Sequence, residues 1–132
     1  MATLNKTDKI IAFDYLVSSN ALAANGNAQV TLTLAADSQF ELHGILATSS
    51  ADLATDFAPN NFSCQMSDQS TGRQFANTRI PQVALAGIGR FALLERRPIT
   101  FPALGTILFD FLNLTGNTLT AYVILKGYKL LI

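Results

Sequence analysis

Apolar and polar positions alternate with a period of two over much of this chain, the spacing that sends successive side chains to opposite faces of a sheet. The pattern is strongest in residues 101–132. Ile107, Phe109 and Phe111 alternate there with Leu108, Asp110 and Leu112, while Leu119, Ala121, Val123 and Leu125 alternate with Thr120, Tyr122, Ile124, Lys126 and Tyr128. The predicted result is a hairpin, two long strands joined through Leu114, Thr115, Gly116 and Asn117. The second set of the last strand is itself apolar and aromatic, whereas a solvated antiparallel strand would be mostly polar on that side. Its outward face is therefore expected to be covered, by loops of the same chain or by a partner.

The remaining segments follow the same rule. Residues 9–16 read as a first strand, apolar on both sides, followed by a loop that closes with Asn25, Gly26 and Asn27. Val30, Leu32 and Leu34 alternate with Gln29, Thr31 and Thr33, a half-buried pattern with β-branched residues on the wet side. Phe40 and Leu42 continue the alternation, Gly44 interrupts it and Leu46 resumes; a glycine inside a strand marks a bulge or a close backbone approach. Ser49 and Asp52 stand at capping-box spacing, so one short helix is expected over residues 49–57. Phe62, Cys64 and Met66 predict a further strand, residues 67–72 a turn, and residues 73–78 a short returning strand. Residues 80–89, apolar but broken by Pro81, Gly87 and Gly89, are expected to form a loop lying on another subunit. Residues 90–95 read as a strand; Pro98 and Pro102 then bracket Ile99, Thr100 and Phe101, an extended segment that cannot be a central strand throughout. About eight strands and at most one short helix predict an all-β antiparallel sandwich or barrel. Without internal repeats or linkers, residues 1–132 are expected to form a single domain.

Composition adds one constraint to this picture. Hydrophobic residues make up 49% and charged residues 14% of the chain, against about 25% charged in ordinary soluble domains. A surface so poor in charge is expected to be shared with a partner. Nine basic and nine acidic residues balance to zero net charge, and without a clustered basic face nucleic acid is disfavoured as a ligand. No run approaches the roughly 18 apolar residues of a membrane span. The first residues offer lysines, an apolar patch and an Ala-Leu-Ala stretch reminiscent of a cleavage site. Asp8 and Asp14 interrupt that pattern, which reads instead as mature protein retained in the cytoplasm.

Candidate chemistry is sparse. Cys64 alternates with Phe62 and Met66 and reads as a buried apolar thiol. His43, the only histidine, sits on the polar side of its strand and reads as a surface residue. One histidine and one distant cysteine fall short of a zinc ligand set, and a Cys64–His43 nucleophilic pair would need a third, orienting group. Glu41 and Glu95 are the only glutamates and the seven aspartates are scattered, which gives no paired carboxylates for glycoside hydrolysis. Gly87, Ile88 and Gly89 are too short a fragment of a dinucleotide loop and lead into a strand rather than a helix. Asn5, Asn61 and Asn113 each begin a glycosylation sequon that reads as a chance match. No catalytic residue, cofactor or metal is expected. The candidate interface residues are Arg96 and Arg97, which read either as a solvated strand end or as forked guanidinium groups suited to partner carboxylates, together with Tyr122, Ile124 and Tyr128, whose large apolar surfaces suit an interface core.

Three features of the last third carry a resemblance: the Pro-bracketed segment Arg97-Pro98-Ile99-Thr100-Phe101-Pro102, the strand ending in Asn113-Leu114-Thr115-Gly116, and the final strand closing with Leu125-Lys126-Gly127-Tyr128. With them the chain resembles the jelly-roll cement or decoration proteins on the capsids of some tailed bacteriophages. That resemblance implies a jelly-roll β-sandwich and a structural virion protein, made in the host cytoplasm. Such a protein forms homodimers or homotrimers and stabilises contacts between major capsid protein subunits from outside the shell. The competing class is a carbohydrate-binding or receptor-binding module on the same scaffold. Against it stand the absence of tryptophan and three tyrosines that do not gather with acidic and amide residues in one loop.

Overall fold

The computed structural model describes residues 9–53, 59–86 and 93–132. In chain order they form β1 (Ile10–Leu22), β2 (Asn27–Thr33), β3 (Ser38–Ser49), β4 (Phe62–Asp68), β5 (Arg73–Gln74), β6 (Ile80–Pro81), α1 (Gln82–Ala86), β7 (Leu93–Phe101), β8 (Thr106–Asn113) and β9 (Leu119–Leu131). One sheet has the order β1-β9-β3-β7; the other has the order β2-β8-β4-β5, with β6 also paired to β4. All the pairings are antiparallel. Counting β5 and β6 as one interrupted strand, the two sheets read 1-8-3-6 and 2-7-4-5. This is the double Greek key of a jelly roll, so the predicted fold class holds.

The alternation in sequence becomes the two faces of each sheet. Ile107, Phe109 and Phe111 of β8 and Leu119, Ala121, Val123 and Leu125 of β9 are all buried, and they meet Phe40, Leu42, Phe62, Cys64, Met66 and Phe101 in one core. Aromatic rings knit this core together, with Phe62 lying 6.0 Å from Phe111 and Phe75 lying 5.9 Å from Phe101.

The strands of the last third are not hairpin partners. β8 pairs with β2 and β4, whereas β9 pairs with β1 and β3, so the connection between them arches from one sheet to the other. Alternation dictates which side chains of a strand face the core; it does not choose the neighbour, and two strands burying complementary faces from opposite sides leave the same pattern. The arch is held by Asn113, 1% exposed. Its Nδ2 lies 3.0 Å from the Ala23 carbonyl and 2.7 Å from the Asn117 carbonyl, while its Oδ1 accepts from the Thr115 amide at 2.8 Å.

Two further expectations are corrected. Ser49 ends β3, and residues 50 and 51 form a turn rather than the start of a helix; residues 54–58 lie outside the described region. The capping-box pair does form, with the Ser49 amide donating to Asp52 Oδ2 at 3.0 Å and Ser49 Oγ donating to Oδ1 at 2.6 Å, but it closes a turn between the sheets. The helix instead lies in the segment read as a loop on another subunit. Within residues 80–89, Ile80 and Pro81 form β6 and α1 follows, with Gln82 and Leu85 buried against the chain's own β3 and β4. The Gln82 side chain accepts from the Asn61 amide at 2.9 Å and donates to Asp52 Oδ2 at 2.8 Å. A buried glutamine able to satisfy both ends of the crossover fixes the segment where hydropathy alone suggested a loop.

The glycine at the interruption behaves as expected. Against β9 the register of β3 shifts between Leu42 and Gly44, which leaves His43 as the extra residue of a bulge. Against β7 it shifts at the same place, but there Leu42 pairs with Ile99 and Gly44 with Leu94, so the extra residues lie on β7. Pro98 falls within β7, an edge strand of its sheet, where a missing amide donor is tolerated. Residues 90–92 of the expected strand lie outside the described region.

Candidate functional site

Because β9 is paired on both sides, its outward residues are flanked by those of β1 and β3, and the register builds the outer face of the four-stranded sheet in rows. Tyr122 stands between Ser18 and Thr48, Ile124 between Leu16 and Leu46, Lys126 between Asp14 and Gly44, and Tyr128 between Ala12 and Glu41. Leu16 is 60% exposed and Tyr128 40% exposed, while Tyr122, Ile124 and Leu46 are half-buried. The face thus carries an aliphatic row, Leu16-Ile124-Leu46, between a tyrosine on one side and a charged row with a second tyrosine on the other. Tyr122, Ile124 and Tyr128 are brought together as the sequence reading grouped them. Leu16 and Leu46, which complete the row, were missed because periodicity within β1 and β3 does not reveal that both border β9.

Arg96 and Arg97 belong to β7, which β3 separates from β9. They share a sheet with the tyrosines but are not adjacent to them in strand order.

The bulge shapes the other end of this face. His43 Nε2 lies 2.6 Å from Glu41 Oε1, and its ring meets Tyr128 edge to face at 5.0 Å. Lys126 Nζ donates to Asp14 Oδ2 at 2.9 Å. Since Gly44 and Gly127 contribute no side chain, Asp14, His43, Lys126 and Tyr128 surround a shallow depression of about 340 Å³. Gly127 is dictated by its surroundings, because a Cβ there would collide with the Glu41 carbonyl oxygen and press on the Phe40 ring. The depression gathers a tyrosine, a histidine, a lysine and the Asp14 carboxylate from three strands, with Glu41 bonded to the His43 ring. That cluster escaped the sequence reading, which looked for tyrosines and acids within one loop.

A second concavity, about 300 Å³, lies between the sheets under α1. It is lined by apolar side chains, among them Leu42, Ile45, Met66, Phe75, Leu85 and Ile99, together with Cys64. Burial pushes the Cys64 thiol up to about 12, with the Asp110 carboxylate adding to the effect. This is an inert thiol in an apolar wall. Cys64 points into the core from the five-stranded sheet, whereas His43 lies on the outer face of the other, so no nucleophilic pair forms.

Among the described residues, no three His, Cys, Asp or Glu side chains come together as a metal site. Asn113 spends its amide on the interior, which removes its sequon as a glycosylation site; the dinucleotide-like fragment at residues 87–89 lies outside the described region. No described helix is long and apolar enough to cross a membrane.

No protein-family model matches the chain, and no curated protein matches it. Among solved structures it is similar to the Drosophila NLP core, whose crystal structure was described for pentamer formation and histone binding. The identity is 16%, over 88% of this chain and 96% of that one, with a TM-score of 0.38. A likeness at that level carries no argument about function.

Proposed function

We propose that this chain is a non-enzymatic structural protein that docks on the outside of a tailed-bacteriophage capsid and cements contacts between major capsid protein subunits. The observation that carries the docking reading is the row Leu16-Ile124-Leu46 with Tyr122 and Tyr128, an apolar and aromatic strip on the outer face of a jelly-roll sheet. A rigid β-face offering two tyrosines and branched aliphatics can anchor a partner with little loss of side-chain entropy. The low charge of the chain and its zero net balance agree with a surface that is shared. The resemblance of the last third supplies the capsid as partner and the virion as location.

Tyr122→Ala and Tyr128→Ala test this reading. Each is expected to weaken capsid binding by about 2 kcal/mol or more while leaving the melting temperature close to that of the parent. Absence of the chain from purified virions would refute the proposal.

A second reading, glycan recognition, draws on the depression at the bulge. There the Tyr128 ring stands beside Asp14, His43 and Lys126, a pairing of aromatic platform with polar groups that suits a sugar ring. It predicts saturable signals on a glycan array that Tyr128→Ala abolishes; a clean negative array removes it.

A further inference from the structure

The geometry points to a second copy of this chain as the partner of the free edge of β1, paired antiparallel about a two-fold axis at Phe13, so that two four-stranded sheets become one continuous sheet. This gives an interface to the self-association that the resemblance implies. It does not depend on what the assembled protein binds.

A sheet edge is a row of unpaired amide and carbonyl groups, and folded proteins blunt such edges by shortening them, placing proline or charge on them, or bulging them. Three of the four edges here are blunted. β5 and β6 are two residues each, β7 contains Pro98, and β2 is seven residues long and exposes Asn27, Gln29, Thr31 and Thr33. β1 is different: it runs thirteen residues without proline, and no described strand pairs with its outer side. Its one protective device, the irregularity between Ser18 and Ala21 with Asn20 at φ 59°, lies beyond the part concerned. Within residues 10–16 the only charge is Asp14, already held by Lys126. Ile10, Ile11 and Leu16 are 45%, 46% and 60% exposed, an unusual load of open aliphatic surface for one edge strand.

Residues directly opposite in an antiparallel pair share a face, so a two-fold pairing of β1 with itself has few registers. Centring on Asp14 would set two carboxylates against each other, which is destabilising. Centring on Phe13 sets Ile10 against Leu16 of the second copy on the outer face and Asp14 against Ala12. On the inner face it sets Ile11 against Tyr15 and Phe13 against its own counterpart. This register covers all three exposed aliphatic residues and opposes no like charges. It also places the outer faces of the two copies side by side, which doubles the strip built around Ile124.

Sedimentation of the full chain is expected to show a dimer, and Leu16→Lys, at a position open to solvent in the monomer, to weaken it about tenfold or more without lowering the melting temperature. The register is read by cysteine cross-linking with oxidised glutathione, Cys64 being buried. Phe13→Cys brings two thiols opposite each other within the Cα range of a disulfide, whereas Asp14→Cys leaves them offset diagonally, beyond about 7 Å. Phe13→Cys is therefore expected to form a covalent dimer and Asp14→Cys to remain monomeric on a non-reducing gel. A chain that sediments as a monomer at all concentrations, a dimer indifferent to Leu16→Lys, or cross-linking by Asp14→Cys in preference to Phe13→Cys would each overturn the inference. A Phe13→Cys dimer that fails to bind capsids would refute the cement reading and leave this one standing.

Discussion

Gln82 and Cys64 show what single buried groups do in this fold. Gln82 is 1% exposed and joins the Asn61 amide to the Asp52 carboxylate, which in turn holds Ser49. Replacing it with leucine keeps the volume but strands a buried donor and acceptor, and the expected cost is about 2 to 3 kcal/mol, measurable by denaturant unfolding. Cys64 has the opposite character, a group that the core shields. The folded thiol keeps its proton to about 12 while the unfolded thiol ionises near its ordinary value of 9.0. The folded state therefore holds the extra proton between those values, and this contribution to stability, fully present below pH 9, is lost as pH rises through that window. At neutral pH, maleimide labelling of Cys64 is expected to follow the rate of unfolding; rapid labelling of the native chain would contradict its burial.

At the scale of elements, the bulge in β3 and the glycine facing it act as one unit. Gly127 lies opposite Leu42, where the register of β3 shifts, and its missing side chain lets the Glu41 carbonyl approach. Gly127→Ala is expected to destabilise the fold by about 2 to 3 kcal/mol and to perturb the His43 and Tyr128 resonances first. Gly44 was legible as a bulge marker because it breaks an alternation, whereas Gly127 was legible only once its neighbour across the sheet was known. The same division runs through the rest of the chain. Faces were readable, since Val123 and Tyr122 differ by one step along a strand of period two. Partners were not: β8 and β9 lie in different sheets because each finds its neighbours far along the chain, the shortest such pairing being Asp68 with Ile107, and local pattern carries no record of such pairings. The helix was misplaced for a related reason, as the Ser49–Asp52 signal is real chemistry that serves a turn, while α1 depends on Gln82 meeting residues 21 and 30 positions earlier.

The whole molecule is a jelly roll with two outer faces, and its four-stranded side combines an apolar strip with an unguarded edge strand. Three of the five residues of the proposed docking site were visible in sequence: Tyr122, Ile124 and Tyr128. Leu16 and Leu46 joined it only through topology, and Arg96 and Arg97 fall on a different strand, separated from β9 by β3. The strip and the β1 edge are contiguous, so self-association would extend the docking surface rather than consume it. The proposal that this surface meets a capsid is tested most directly by cosedimenting purified chain with capsids that lack it, comparing the parent with Tyr128→Ala. The account predicts saturable binding by the parent and at least about a thirtyfold loss in the variant, with both proteins equally folded. Equal cosedimentation of the two, or none by the parent, would contradict it.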